Sequence, residues 1–481
     1  MATEPRSQRQ VLVAFAAIML ATLLAALDQT IVATALPQIA ADLQGFEHLS
    51  WVVTAYLLAS TVTVPLYGKL SDLYGRRRLF VVSISVFLLG SALCGLAQSM
   101  EQLIACRALQ GLGAGGLLPL SQAAIADLFS PRERGRYQGY IGSVWAAAAI
   151  AGPLLGGTLT DTVSWRWIFW INLPLAAFAV VVVMRTMRPG GRTREHRIDW
   201  LGAALLSVGV SAILLACAWA GTDYAWSSAP VLGAFALGVV AVGVFLVVER
   251  RAAEPLLPLT LFRGRTFAVS TGAAFAIGAV LFGITIYVPV YMQGVLGASA
   301  TSSGVVLIPL TFGWVVASFT SGQLISRTGR YRVFPLLGAS LVLAGCLLLT
   351  LLDAGSSRTL ASAYLVVIGV GMGCMFQTFV IATQNRVDVS DLGVATAAIQ
   401  FFRSMGGSVA VAVLGALLVA RLPAGVDPNR LTAGGAQVPD AAREALNHAT
   451  HAVFVAVVPV AAVVLVLAFL LPEHPLRTQR P

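Results

Sequence analysis

Gly68-Lys69-Leu70-Ser71-Asp72-Leu73-Tyr74-Gly75-Arg76-Arg77-Arg78 is a short, basic loop between two long apolar runs. Each run has roughly 20 residues, enough to cross about 30 Å of hydrocarbon at 1.5 Å per residue. Lys and Arg beside short loops set membrane orientation, so this loop is expected on the cytoplasmic side. Placing it orients every other segment. A degraded copy returns 254 residues later as Gly322-Gln323-Leu324-Ile325-Ser326-Arg327-Thr328-Gly329-Arg330-Tyr331-Arg332. Two Gly, one Leu and two Arg stand in register between the copies.

Working outward, the 481 residues are 58% hydrophobic and 11% charged, against about 25% charged in soluble domains. Apolar runs fall at about 11–36, 49–69, 79–97, 102–127, 137–160, 165–187, 198–219, 229–249, 266–293, 300–326, 333–352, 359–382, 393–420 and 448–471. The expectation is an all-α polytopic membrane protein with fourteen transmembrane helices. The first run is longer than the apolar core of a signal peptide and is read as an uncleaved span.

The net charge of +10 suggests nucleic acid only until its distribution is mapped. On this span assignment, 24 of the 31 basic residues lie on one side, 5 on the other and 2 inside. That asymmetry is topology. Arg-rich connections at 76–78, 132–136, 185–197, 250–265, 327–332 and 477–480 alternate with loops poor in Lys and Arg. Both termini are therefore expected in the cytoplasm, with the chain a multi-pass protein of the plasma (inner) membrane.

The repeat predicts two related halves. Residues 1–190 form an N-terminal six-helix half and 266–481 a C-terminal one, with an extracytoplasmic loop at about 421–447. Residues 191–265 carry a two-helix central insertion, giving 6+2+6. Part of the long loop, 440–446, reads as a short surface helix.

Catalysis and metal binding find no support. The five Cys (94, 106, 217, 346 and 374) form no CxxC pair and read as small buried hydrophobes. The five His show no metal spacing. The lone lysine, Lys69, is followed by Leu70, so no GxxxxGK[ST] phosphate loop exists and an ATP-driven pump is excluded. No enzyme, metal or cofactor is expected.

With these features assembled, the chain resembles the major facilitator superfamily, and within it the fourteen-span drug:proton antiporters of the EmrB/QacA type. Leu27-Asp28-Gln29-Thr30-Ile31-Val32-Ala33-Thr34-Ala35-Leu36-Pro37 is similar to that branch's first-helix motif, and Gly68 to Arg78 to the superfamily loop. Arg107-Ala108-Leu109-Gln110-Gly111 resembles the fourth-helix motif, and Gly152-Pro153-Leu154-Leu155-Gly156-Gly157 the fifth-helix motif associated with export. Ser302-Ser303-Gly304 and Gly406-Gly407 after Arg403 add weaker matches. The resemblance implies a major facilitator fold and proton-coupled efflux of hydrophobic or amphipathic drugs, energised by the proton gradient. The alternative is a dedicated exporter of one metabolite, lipid or siderophore, or a uniporter or importer of the same fold. Some relatives place a second acid in the tenth span to handle dications; the 300–326 run has none.

The residues suggest how this could operate. Asp28 is the carboxylate deepest in a span, where a charge costs at least about 2.5–3.5 kcal/mol, so it marks an ion or substrate path. It either carries a proton or bonds a neighbouring helix. Counting from the outer ends, Asp28 and Arg107 lie about 13 and 9 Å deep, one layer in which they can pair, with Gln110 a turn beyond Arg107. The pair is either a proton-coupling switch or a permanent ion pair. In the basic loop, Asp72 can cap a helix or pair with Arg76, and Asp127 lies within reach of Arg76. The family uses such contacts, with Gly68 and Gly75, to latch its halves. Ser326 replaces the acid in the second copy, so that latch should be weaker. Gly152 and Gly156 permit close helix packing, and Pro153 withholds a backbone donor. Trp51, Tyr56, Trp145, Trp314, Phe376 and Phe379 are candidates for lining a drug site. Arg403 has no acid in its span and is expected to snorkel or to bond carbonyls.

Overall fold

The computed structural model describes residues 8–44, 48–187, 199–220, 224–252, 254–298, 306–422 and 440–476. The helices are α1 (Gln8–Asp42), α2 (Leu49–Tyr74), α3 (Arg76–Leu96), α4 (Met100–Leu128), α5 (Pro131–Thr162), α6 (Trp167–Trp170), α7 (Asn172–Thr186), α8 (Trp200–Trp219) and α9 (Ala229–Glu249). They continue as α10 (Arg265–Gly294), α11 (Ile308–Thr328), α12 (Val333–Leu349), α13 (Arg358–Phe376), α14 (Thr378–Arg386), α15 (Leu392–Ala420) and α16 (Asp440–Leu470). Thirteen helical segments among the described residues are long and apolar enough to cross a membrane, and α12 adds a shorter apolar helix.

Polar residues at the boundaries explain where helices begin. Ser99 accepts from the Gln102 amide ahead of α4, Asp199 from Gly202 ahead of α8, and Ser357 from Leu360 ahead of α13. Ser130 and Glu133 make a capping box on α5. The two copies of the basic loop turn on matching glycines: Gly75 has φ 89° and Gly329 φ 72°, a region that L side chains avoid.

Three expectations change. The sixth span is two pieces, α6 and α7, joined at Ile171. The 359–382 run breaks at Gln377 into α13 and α14. Residues 440–446 are no separate surface helix but the first turns of α16. The loop at 423–439, the Ser302-Ser303-Gly304 motif and the basic stretches at 188–198 and 477–481 lie outside the described residues.

Packing repeats as the sequence does. In the first bundle α1 lies on α5, α2 on α4, and α3 on both α4 and α7. In the second, α10 lies on α15, α11 on α13, and α12 on both α13 and α16. The bundles meet along α5 with α11 and α2 with α15. Helices α8 and α9 pack on each other, and α8 rests on α2 and α15. α9 leaves Leu232, Leu237, Val239, Val240, Val244 and Val247 exposed, a surface suited to lipid. Each bundle has its own apolar core, around Phe80, Phe87 and Leu117 in one and Val280, Leu365 and Met372 in the other.

Candidate functional site

A fully buried carboxylate, Asp28 on α1, anchors a polar cluster inside the first bundle. Arg107 Nη1 on α4 donates to Asp28 Oδ2 at 2.7 Å and to Gln110 Oε1 at 2.7 Å. Gln110 Nε2 donates to Asp28 Oδ1 at 2.7 Å, closing a ring of three side chains. Arg107 Nε reaches the Val52 carbonyl of α2 at 3.2 Å, and its guanidinium lies 4.1 Å from the Tyr56 ring centre. Arg107 and Gln110 share a helix face at i and i+3, which points both at one target.

Two members of the cluster escaped the sequence reading. Asn172 at the start of α7 donates Nδ2 to Asp28 Oδ1 at 3.2 Å and to Ser91 Oγ at 3.1 Å. Ser91 on α3 in turn donates to the Phe169 carbonyl at 2.8 Å. Asn172 heads an otherwise apolar segment, Leu173 to Met184, and that isolation is the signal that was available. Side chains of α1, α3, α4 and α7 thus join one hydrogen-bonded cluster around the acid.

The chemistry follows from donor counting. An ionised carboxylate only accepts hydrogen bonds, and Asp28 receives three, from Arg107, Gln110 and Asn172. The arrangement is that of the anion. Asn172 Oδ1 is buried and unpartnered. A half-turn of that amide replaces a donor by an acceptor, which a protonated acid requires.

A second cluster joins the bundles on the Arg-rich face. Asp72 accepts from the Gly393 and Val394 amides at 3.0 and 2.8 Å, capping α15 across the bundle interface. Arg76 pairs with Asp72 at 2.6 Å and Asp127 at 3.1 Å, and also donates to Ser71 Oγ. The helices touch at Gly68 and Gly393: a Cβ on Gly393 would lie 2.7 Å from the Gly68 carbonyl oxygen. The pseudo-equivalent contact sets Gly322 of α11 on Gly135 of α5, where a Cβ would lie 2.2 Å from that carbonyl oxygen. Ser326 supplies no acid, and Arg132 of α5 compensates by donating to the Ser326 and Arg327 carbonyls at 2.9 and 2.8 Å. Arg134 adds a buried bond to the Gln384 carbonyl at 3.2 Å.

The remaining candidates separate. Gly152 seats α5 on α1: a Cβ there would strike Thr30 Oγ1 at 2.1 Å, and Thr30 donates to the Ala148 carbonyl at 3.0 Å. Gly156 is buried, Gly157 faces open space, and the side chain of Pro153 lies outside the described residues. Tyr56 and Phe379 are fully buried and pack within the bundles, so neither lines an open surface here. Trp51, Trp145, Trp314 and Phe376 are partly exposed. Arg403 does not snorkel and, among the described residues, bonds no carbonyl: it is buried, and its guanidinium stacks 3.7 Å from the Phe376 ring centre.

Comparison with known proteins agrees with this architecture. Over 479 residues, the chain is 42% identical to an uncharacterized MFS-type transporter of Mycobacterium tuberculosis, covering 96% of this chain and 69% of that protein. It is 39% identical over 404 residues to the multidrug transporter protein MdtP of Bacillus subtilis, covering 84% and 74%. The solved proton:xylose symporter XylE shares the fold at TM-score 0.66 and 12% identity, covering 97% of each chain. Residues 18–411 match the family model described as Major Facilitator Superfamily. Paired bundles, a repeated basic turn and a match across most of the length place the chain in the major facilitator superfamily, as a transporter.

Proposed function

We propose that the chain is a proton-coupled exporter of hydrophobic or amphipathic compounds, working as an antiporter in the plasma membrane. The Arg-rich face, and with it both termini, lies in the cytoplasm. The observation that carries the reading is the Asp28 cluster: a buried carboxylate, a cation and an amide able to serve either protonation state. The names of relatives, MdtP among them, support efflux.

In this mechanism the contacts of Asp72, Arg76 and Arg132 hold the cytoplasmic face shut while the opposite face admits protons. Protonation of Asp28 removes the charge that holds Arg107, and Asn172 turns its Oδ1 to the new O–H. The freed Arg107 loosens α4 against α1 and α2, and the bundles rock about α2–α15 and α5–α11. Proton loss to the cytoplasm restores the ring.

Everted vesicles containing the protein, scored with a pH-sensitive dye, provide the test. A panel of lipophilic cations, neutral compounds and aromatic carboxylates is added to wild type and to Asp28→Asn. Substrate-driven proton movement in wild type, lost in the variant, is expected. Equal movement in both, or none with any compound, overturns the reading.

A further inference from the structure

Arg403 lies eleven residues into α15 from Leu392, about 16 Å along the helix and near the middle of a hydrocarbon layer about 30 Å thick. It is 5% exposed. Among the described residues it forms no ion pair, and its Nη2 is buried without a partner. Its one strong contact is the face of Phe376, which is itself packed against Trp314 with ring centres 4.7 Å apart. A buried, unpaired cation is costly, and stacking on one ring does not replace the hydrogen bonds lost.

The surroundings are built rather than accidental. α10 presses directly on the backbone here: a Cβ on Gly278 would lie 2.0 Å from the Arg403 carbonyl oxygen. Beside Phe376 the helix breaks between α13 and α14, and broken helices near the midplane are where transporters bind substrates. Gln377 in that break and Gln400, one turn before Arg403, each keep a buried unpartnered Oε1. Trp314 and Phe376 are partly exposed, so the aromatic pair keeps accessible surface.

We propose that Arg403 binds the anionic group of the substrate, and that the exported compounds are aromatic or otherwise apolar molecules bearing a carboxylate or sulfonate. The proposal rests on the transport reading above and names its substrate class. Stacking on Phe376 leaves the in-plane N–H edges of the guanidinium free, and that edge matches a carboxylate in bidentate fashion. The Phe376–Trp314 pair receives the apolar body. The two glutamine carbonyls accept from hydroxyl or amide groups on the same molecule.

The test uses the protein in lipid nanodiscs and three probes with one ring system: an anthracene carboxylate, its neutral methanol analogue and its trimethylammonium derivative. Binding is read by fluorescence, and thermal unfolding is followed on the same samples. Wild type is expected to bind the carboxylate at least about tenfold more tightly than the cation, as one charge-assisted contact allows. Arg403→Gln should abolish that preference without lowering the melting temperature, because an unpartnered buried charge has been removed; Arg403→Lys should keep part of it. A melting temperature that falls in Arg403→Gln with the preference unchanged assigns Arg403 to structure and overturns the proposal. So does tighter binding of the cation by wild type. Asp28→Asn separates the two readings. A retained carboxylate preference in that variant supports this site, while loss of proton movement bears on coupling alone.

Discussion

Arg107 and Arg403 both lie deep within the bundles, and they are held in opposite ways. Arg107 meets a carboxylate and an amide at 2.7 Å, a carbonyl at 3.2 Å and an aromatic face at 4.1 Å. Arg403 meets one aromatic face at 3.7 Å and, among the described residues, no acid. The first bundle balances its charge internally, which suits a group that exchanges a proton. The second leaves its charge open, which suits a group awaiting a partner from outside. Repetition of the fold has therefore not repeated the polar contacts, and the two proposals above assign coupling to one half and recognition to the other.

The largest test of this contrast is stability. Arg107→Gln strands a buried carboxylate and should cost about 3–5 kcal/mol, read as a fall in melting temperature in detergent. Adding Asp28→Asn should recover much of that loss. Arg403→Gln should show no such fall. Equal losses at both arginines would break the comparison.

A smaller effect is expected at Asn172. Replacement by Leu removes one donor to Asp28 and the bond that Ser91 accepts, at about 1–3 kcal/mol. It should slow proton-coupled transport about tenfold, the rate equivalent of 1.4 kcal/mol, while leaving carboxylate binding near wild type. A variant that loses binding and coupling in step would deny the division of labour.

The latches sharpen the comparison on a finer scale. Asp72→Asn weakens a charged cap on α15 and should cost about 1–2 kcal/mol. Arg132→Ala loses bonds from an exposed side chain to carbonyls, worth about 1 kcal/mol or less. Distances between spin labels at Arg78 and Val389, both exposed on the same face, should shift about tenfold in population for Asp72→Asn and less for Arg132→Ala. The reverse order would mean that the Ser326 copy is the stronger latch.

The smallest effect belongs to an ion pair outside the membrane interior. Trp165 Nε1 and Arg166 both donate to Asp42, at 2.9 and 3.0 Å, and hold its carboxyl below the usual range. A lowered native value means the stabilisation is complete above about pH 4. It is lost as pH falls through that lowered value. The side chains are half and about a third exposed, so Asp42→Asn should cost less than about 1 kcal/mol at neutral pH. An unfolding series against pH checks both size and direction.

Much of this was legible in the chain, and the exceptions have physical causes. Apolar runs with basic turns dictate spans, because lipid forces every backbone group into a helix. Asp28 and Arg107 stood out because a charge in hydrocarbon is rare and counting along two helices predicts a shared layer. Asn172 did not, since its role depends on α7 meeting α1 and α3 in space. The compensation of Ser326 by Arg132 was equally hidden: the replacement came from the other bundle, 194 residues away. Arg403 was visible as a buried cation, but only packing reveals that it lacks a partner. The break at Gln377 carries no proline or glycine at that residue.

Calorimetry reads proton exchange at Asp28 on substrate binding directly. Binding of an anthracene carboxylate, or of any compound found to be exported, is measured in two buffers that differ in ionisation enthalpy. The difference in heat counts protons released or taken up per molecule bound. Wild type is expected to exchange close to one proton near neutral pH, and Asp28→Asn none. An identical proton count in wild type and Asp28→Asn would contradict the account.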